Sequence, residues 1–281
     1  MSQKFDHENT GSNSLLAKLQ GDVLILTINR PHVRNALTYE VMEILGDAIC
    51  RAEIDPTIKC LVLTGAGHHF CSGGDVSDMV GDNLPGERSL ESLIALQRQN
   101  QRRTVGRLYE MSKPTLAIMH GAAAGAGLSL ALACDLRIMS TSAFMTTAFS
   151  TIGFCGDYGA SFFLTQLAGP SKARELLFLA DRIDAGEAHR IGLANSICPE
   201  GELAQEGLAL AERLASRPSL AVGYAKQNIN RAVSSGDVND CLDIEATINL
   251  HLTMTEEHQD SARAFLKRRN QPSDANDKQS G

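Results

Sequence analysis

The sequence lacks an excess of positive charge, and this limits the kinds of binding partner that we expect. Its 281 residues carry 26 Lys and Arg against 33 Asp and Glu, a formal net charge of −7. A protein that mainly binds duplex DNA usually has the opposite balance, because it must neutralise phosphates. We therefore do not expect nucleic acid as the main partner. Apolar residues make up 43% of the chain, which excludes wholesale disorder and predicts a globular protein with a real core.

The sequence also lacks an apolar leader and a membrane-spanning segment. Residues 1–14 are polar, so we expect no signal peptide. Residues 115–134 are almost wholly apolar, but Pro114, His120 and three glycines favour a buried strand, a turn and a helix. Seven widely spaced cysteines, an odd number, are typical of reduced thiols. We expect a cytoplasmic protein without a membrane partner.

Several motifs for cofactors and nucleophiles are missing or incomplete. The glycine pairs at 65–67 and 125–127 follow strands, but neither completes a dinucleotide fingerprint. His68, His69 and Cys71 lie together, yet no second ligand cluster has zinc-site spacing. The sequence has no glycine-flanked serine of the kind that carries the nucleophile of a Ser-His-Asp hydrolase. We expect no metal and no cofactor, and we interpret His120 as a core histidine with its hydrogen bonds satisfied.

The hydrophobic pattern predicts an α/β core followed by helices. Residues 23–28 and 60–64 are β-rich apolar runs, and Thr38 can cap a helix between them. The pattern continues with a strand, turn and helix over 115–133, strands over 135–140 and 144–148, and a helix from about 157. A loop is expected over 81–90. From residue 171 the patterns are helical except for a short apolar run at 194–198.

We divide the chain into a core over 20–200 and a helical oligomerisation region over 201–270. A long last helix is predicted over 238–268, with more apolar surface than one exposed helix should carry. This surface favours packing against another subunit. Residues 1–19 and the polar tail 271–281 are expected to be disordered.

Two glycine-rich stretches stand where strands end, FCSGGD at 70–75 and GAAAGAG at 121–127. A strand that runs into such backbone leaves N–H groups unpaired and free of side chains. If the two stretches face each other, their N–H groups can converge on one oxygen as an oxyanion hole. Close packing of helix on strand explains the same glycines. The residues alone leave both interpretations open.

Asp157 is the carboxylate best suited to acid–base work. Phe154 and Tyr158 lie beside it in the chain, and no basic residue occurs within ten positions. Such an apolar setting suits a group that moves protons. Aspartate is also a favoured helix N-cap, and a helix is predicted to follow, so capping is the alternative.

Five segments resemble the crotonase, or enoyl-CoA hydratase/isomerase, superfamily. They are VLTGAGHHFCSGGDV (62–76), MHGAAAGAGLSLALACDLRI (119–138), IGFCGDYGA (152–160), INRPHVRNALT (28–38) and AFLKRR (264–269). Order and spacing are kept over about residues 20–270. The resemblance implies an α/β fold, a spiral of repeated ββα units with a helical C-terminal trimerisation region. It also implies acyl-CoA thioester substrates and a homo-oligomer, either a trimer or a dimer of trimers.

The resemblance assigns roles to individual residues. The backbone N–H groups of Ser72 and Ala126 would stabilise a thioester enolate. The CoA moiety would lie along two segments, with two further residues closing the nucleotide pocket from the same or a neighbouring subunit. The segments hold Arg34, Ala36, Leu37, Gly73, Gly74, Asp75 and Val76, and the closing residues are Phe265 and Arg268.

The residues at the catalytic positions differ from those of the hydratases. Their two glutamates, which position and activate water, correspond here to Ser129 and Phe149. Neither accepts a proton as a carboxylate does. The acid of dienoyl-CoA and epoxyphenylacetyl-CoA isomerases corresponds to Asp157, so the sequence predicts an isomerase with Asp157 as acid and base. Ser129, Phe149 and Tyr158 would shape the acyl pocket. Hydration, hydrolysis of a cyclic CoA ester and non-catalytic acyl-CoA binding remain as alternatives.

Overall fold

The computed structural model describes residues 10–79 and 89–269. Most of the loop predicted over 81–90 lies outside these ranges, as does the tail predicted from residue 271. The chain divides into two compact units, residues 1–216 and residues 217–281. In the described part of the chain, no helix is both long enough and apolar enough to cross a membrane.

Among the described residues of the first unit, nine strands form two sheets. They are β1 (Leu15–Gln20), β2 (Val23–Ile28), β3 (Cys60–Gly65), β4 (Thr115–Met119), β5 (Ala122–Ala124), β6 (Leu136–Ser140), β7 (Phe144–Thr146), β8 (Ile183–Asp184) and β9 (Ser196–Cys198). The larger sheet has the order β1-β2-β3-β4-β6-β9, and the smaller has the order β5-β7-β8. From β2 to β9 the larger sheet is parallel, so each step needs a crossover, which the helices supply.

The helices are numbered in chain order through both units. They are α1 (Tyr39–Ile54), α2 (Leu90–Gln101), α3 (Arg107–Glu110), α4 (Gly125–Ala133), α5 (Ala160–Leu179), α6 (Ala185–Arg190), α7 (Leu203–Ala215), α8 (Ser219–Ser235), α9 (Val238–Thr253) and α10 (Glu256–Arg269). A π-helical turn over Arg102–Gly106 joins α2 to α3. The predicted cap is confirmed, because the Thr38 hydroxyl accepts the Val41 N–H. The predicted α/β architecture is confirmed as well.

The N-terminal prediction is wrong where the structure describes it. Residues 15–20 form β1, which pairs with β2 in an antiparallel hairpin through a turn at Gly21 and Asp22. Leu15 and Ala17 alternate with exposed residues and face the core. This period of two is a strand signal that the polar surroundings obscured. Residues 1–9 lie outside the described part.

The first unit extends beyond residue 200, so the predicted boundary is too early. Helix α7 places Leu203, Ala211 and Ala215 in one apolar cluster with Val62 and Ile118 of the large sheet. Burial of this face makes α7 part of the α/β core, and the division into compact units falls after Ser216.

The predicted long C-terminal helix is two helices. Helix α9 ends at Thr253, and α10 begins at Glu256. The Thr255 hydroxyl accepts the His258 N–H at 3.2 Å, as a side-chain cap does at the start of a helix. Leu242 and Leu250 of α9 are exposed in the single chain. Packing of this face against another subunit stays a prediction.

Backbone hydrogen bonds hold the two glycine-rich stretches side by side. The Phe70 N–H donates to the His120 carbonyl at 2.8 Å, and the Cys71 N–H donates to the Ala122 carbonyl at 3.0 Å. The Ala124 N–H donates back to the Cys71 carbonyl at 2.9 Å. The stretches thus pair like parallel strands, and this pairing fixes where α4 begins.

Gly127 allows the closest approach between these stretches. A Cβ atom at this position would lie 2.6 Å from the carbonyl oxygen and from the Sγ atom of Cys71. Real Cβ contacts are essentially never so short, so a side chain at residue 127 must displace the backbone around Cys71.

We expect the Gly127→Ala substitution to lower the free energy of unfolding by about 1–3 kcal/mol, because overpacking shifts backbone. Urea unfolding followed by circular dichroism measures this. Gly201→Ala is the matched control, since a Cβ there meets nothing within 4 Å. Equal midpoints for Gly127→Ala and the control would contradict the tight approach.

Candidate active site

A cavity of about 570 Å³ lies in the first unit beside the paired glycine-rich stretches. Its walls come from the start of α1, the middle of α2, the start of α4 and the loop before α5. The lining residues are Leu37, Thr38, Tyr39, Met42, Ser72, Gly73, Gly74, Asp75, Val76, Leu93, Ile94, Gln97, Gly125, Ala126, Ala148, Phe149, Thr151, Ile152, Phe154, Asp157 and Tyr158. Most of these side chains are apolar, so charged groups are few within it.

Ten of the residues predicted from the sequence line this cavity. They are Leu37, Ser72, Gly73, Gly74, Asp75, Val76, Ala126, Phe149, Asp157 and Tyr158. Arg34, Ala36 and Ser129 lie outside its lining. Phe265 and Arg268 belong to α10 in the second unit, where both side chains are exposed. Their part in binding stays a prediction.

Two backbone N–H groups at the cavity wall are available to a ligand. Ala126 is the second residue of α4, so its N–H has no partner within the helix. Within residues 10–79 and 89–269, no acceptor is found for the Gly74 N–H. Gly73 lets the two segments meet, because a Cβ there would lie 2.9 Å from the Ala124 oxygen and 3.5 Å from the Ala126 nitrogen.

Ser72 is not one of these donors, which corrects the sequence prediction. Its N–H donates to the Arg34 carbonyl at 3.0 Å and is therefore occupied. Arg34 has a left-handed backbone, with φ of 54°, and this conformation accompanies the approach of its carbonyl to Ser72. Gly74, two residues further on, has the free N–H. The Ala126 N–H has no partner within α4, and its role as a donor stays a prediction.

Three donors hold the Asp157 carboxylate. Gln97 donates to Oδ2 at 2.8 Å, Gln101 donates to Oδ1 at 2.5 Å, and the Tyr158 N–H donates to Oδ1 at 2.8 Å. The capping alternative is wrong, because Gly159 is the N-cap of α5 and no side chain caps that helix. Asp157 instead lines the cavity.

Sequence reasoning missed the two glutamines. They stand four residues apart on α2, so they share one face of the helix. This spacing was visible, but nothing in it points to Asp157, which lies 60 and 56 residues further along the chain.

Ser129 does not line the cavity, although the sequence predicts that it shapes the acyl pocket. Its side chain is fully buried, and its hydroxyl lies 2.9 Å from the Asp157 carbonyl oxygen and 3.3 Å from the Gly125 carbonyl oxygen. The shorter contact ties α4 to the backbone of Asp157. Ser129 therefore supports the aspartate from behind rather than lining the cavity.

Tyr158 and Phe149 are buried aromatic residues of the cavity wall, and their contact with an acyl group stays a prediction. Burial raises the pKa of the Tyr158 phenol, and the negative charge of Asp157 raises it further. The phenol is therefore neutral at physiological pH and can donate a hydrogen bond. Tyr158 has a left-handed backbone, with φ of 49°, in the turn that leads into α5.

Asp75 ties the glycine-rich stretch at 70–75 to the segment before α1. Arg30 donates to its carboxylate at 3.2 Å and also to the Ala36 carbonyl at 2.6 Å. The Ser77 hydroxyl donates to Asp75 at 2.6 Å. The hydrogen bond from Ser77 lowers the pKa of the Asp75 carboxyl, and Arg30 lowers it further, against the opposing effect of burial.

The neighbouring histidines are arranged around the same strand ends. His69 Nδ1 accepts the Ala122 N–H at 3.2 Å. Burial lowers the pKa of His69, as does the positive charge of Arg34, so the neutral form that accepts this bond is favoured. The prediction for His120 is wrong in one respect, because its Nε2 is buried and has no hydrogen-bond partner among the residues that the structure describes.

The comparisons with known proteins agree with this geometry. Residues 18–275 match the family model for enoyl-CoA hydratase/isomerase. The chain is 32% identical over 255 residues to 1,2-epoxyphenylacetyl-CoA isomerase of Escherichia coli, covering 91% of this chain and 96% of the relative. It is 31% identical over 258 residues to short-chain-enoyl-CoA hydratase of Clostridium acetobutylicum, covering 92% and 96%.

A solved structure supports the same relationship. The crystal structure of an enoyl-CoA hydratase from Polaromonas sp. JS666 superposes with a TM-score of 0.83 at 31% identity, covering 90% of this chain and 97% of that chain. The chain therefore belongs to the enoyl-CoA hydratase/isomerase family, within the crotonase superfamily. It is an acyl-CoA-processing enzyme of that family.

We expect the contribution of Asp75 to stability to depend on pH. Its folded-state pKa is lowered, so the ionised form stabilises the fold above the unfolded pKa of about 4. This contribution is lost as the pH falls below 4 through the folded pKa. Urea unfolding of wild type and Asp75→Asn should differ by a constant amount between pH 5 and 7 and by less at pH 3. A constant difference at all three pH values would contradict the assignment.

Proposed function

We propose that the protein is an enoyl-CoA isomerase that moves a double bond in an unsaturated acyl-CoA thioester. The observation that carries this proposal is the position of Asp157. Asp157 lines the same cavity as Gly74 and Ala126, the two residues whose backbone N–H groups are available to a ligand. Such a cavity offers a base and a site for a developing negative oxygen, which are the two requirements for proton transfer beside a thioester.

In the proposed reaction the thioester oxygen accepts hydrogen bonds from Gly74 and Ala126. These bonds stabilise the enolate that forms when a neighbouring C–H loses its proton, by about 2.7–4 kcal/mol for each donor. Asp157 takes the proton from one carbon of the unsaturated system and returns it to another. The double bond moves, no atom is gained or lost, and no cofactor takes part.

The side chains around the cavity support this assignment. Serine and phenylalanine stand at positions 129 and 149, which resemble the sites of the hydratase glutamates. Ser129 is turned away from the cavity, and Phe149 contributes apolar wall. Asp157 and Asp75 are the carboxylates in the lining, and Arg30 and Ser77 already bind Asp75. Asp157 is held by neutral donors, Gln97, Gln101 and the Tyr158 N–H, whereas Asp75 is paired with the Arg30 cation, and this favours Asp157 as the base.

The CoA part of the substrate would lie along the wall that runs from Leu37 to Val76. We retain the proposal that Arg34, Phe265 and Arg268 contact the nucleotide, the last two from the same subunit or a neighbouring one in a homotrimer or dimer of trimers. Arg34, with an exposed side chain next to this wall, is suited to a phosphate group.

Hydration is the second candidate, because related proteins carry that name. The relatives from Clostridium acetobutylicum and Syntrophomonas wolfei are a short-chain-enoyl-CoA hydratase and a crotonyl-CoA hydratase, each 31% identical to this chain. In that reaction Asp157 would activate water instead of a C–H bond. Net addition of water to crotonyl-CoA distinguishes hydration from isomerisation.

We expect wild-type protein to convert 3-hexenoyl-CoA to 2-hexenoyl-CoA with uptake of deuterium from D2O and without added water. Asp157→Asn should lower this rate about 10²–10⁴-fold, because the amide cannot accept the proton. Mass spectrometry and absorbance of the conjugated thioester follow both events. Asp181→Asn is the control, since that side chain is exposed in the loop before β8.

The other possible results of this experiment favour the alternative functions or another base. Water addition to crotonyl-CoA without isomerisation would favour the hydratase. Isomerisation that survives Asp157→Asn would assign the base to another residue. Binding of the CoA ester without turnover would favour the non-catalytic alternative.

A further inference from the structure

We propose that Gln97 and Gln101 are positioning residues that hold Asp157 so that its Oδ2 atom takes and returns the proton. The inference rests on the proposed function of Asp157 as the base. It adds the residues that orient that base and the oxygen atom that reacts.

The hydrogen bonds of the carboxylate distinguish its two oxygens. Oδ1 accepts two donors, Gln101 Nε2 at 2.5 Å and the Tyr158 N–H at 2.8 Å. Among the described residues, Oδ2 accepts one hydrogen bond, from Gln97 Nε2 at 2.8 Å. Each carboxylate oxygen offers about two acceptor positions, so Oδ1 is filled and Oδ2 keeps one position free.

The residue that binds Oδ2 belongs to the cavity wall. Gln97 lines the cavity together with Asp157, whereas Gln101 is not part of its lining. The oxygen that Gln97 contacts is therefore the one nearer to a bound acyl group. A proton leaving the substrate meets the unoccupied acceptor position of Oδ2.

The two glutamines come from a firmly attached helix end. Helix α2 runs directly into the π-helical turn over Arg102–Gly106, in which Thr104 and Val105 are buried. The Thr104 hydroxyl also donates to the Asn100 carbonyl at 2.7 Å. Because this end of α2 is packed into the core, Gln101 is a rigid donor. Ser129 holds the backbone of Asp157 from the opposite side.

The chemical nature of the donors suits a base. Within the described ranges, no Arg or Lys side chain donates to the Asp157 carboxylate. A cation would stabilise the carboxylate anion strongly and make it a poorer proton acceptor. Neutral amides fix its orientation with a smaller effect of this kind. Glutamine at both positions therefore combines a fixed geometry with proton transfer.

The first experiment replaces each amide with a side chain of similar length that cannot donate. We expect Gln101→Met and Gln97→Met to lower kcat for 3-hexenoyl-CoA isomerisation on the order of 10- to 100-fold, as a misplaced catalytic group does. KM should change much less, because the thioester donors remain. Gln99→Met on the exposed side of α2 is the matched control and should keep the wild-type rate.

The second experiment uses a pH profile that a merely structural residue would not move. Gln101→Glu keeps the shape of the side chain but places a second carboxylate against Oδ1, where the two must share a proton. We expect the acidic limb of the kcat profile to shift to higher pH. Gln99→Glu, with its side chain in solvent, should leave that limb in place. This variant also serves if Gln101→Met does not fold.

The outcomes separate this inference from the proposed function. If Asp157→Asn abolishes isomerisation while both methionine variants keep the wild-type kcat, the positioning role is wrong and the proposed function stands. An unshifted profile for folded Gln101→Glu would also overturn the positioning role. If wild type does not isomerise 3-hexenoyl-CoA, or if Asp157→Asn is as active as wild type, the proposed function itself fails.

Discussion

The pairing of two backbone segments, residues 70–73 and residues 120–124, is the constraint on which the site depends. Each segment ends in glycine-rich chain, so the backbones approach without side chains between them. Gly127 lies against Cys71, and Gly73 lies against Ala124 and Ala126. Without this contact the start of α4 and the Gly74 N–H would belong to separate surfaces. With it, they line one cavity.

Buried polar side chains carry this constraint into the neighbouring loops. Asn35 is fully buried, donates to the Ala66 and His69 carbonyls and accepts the Arg30 N–H. Arg30 in turn binds Asp75, and Ser129 binds the backbone of Asp157. Each bond satisfies a polar group that would be costly to bury alone. The cavity is thus bordered by loops that are tied to the core rather than by independent loops.

The sequence predicted the fold better than the details of the site. Apolar runs at 23–28 and 60–64 and the cap at Thr38 are local signals, and local signals give local structure. The break after Thr253 has no glycine or proline to mark it. The free donor is Gly74 rather than Ser72 because a carbonyl almost 40 residues earlier occupies the Ser72 N–H. Contacts such as those of Gln97 and Gln101 with Asp157 join distant parts of the chain, and no periodicity encodes them.

Helix α4 contains one proposed oxyanion donor, Ala126, and also Ser129, which holds the backbone of the proposed base Asp157. These residues are three positions apart, which is a rise of about 4.5 Å along an α-helix. Helical geometry therefore fixes the spacing between the Ala126 donor and the residue that anchors the Asp157 backbone. Substitutions in the far wall, at Leu93 or Ile94, can change which acyl groups fit while this spacing stays constant. Such an arrangement lets one reaction serve substrates with different tails.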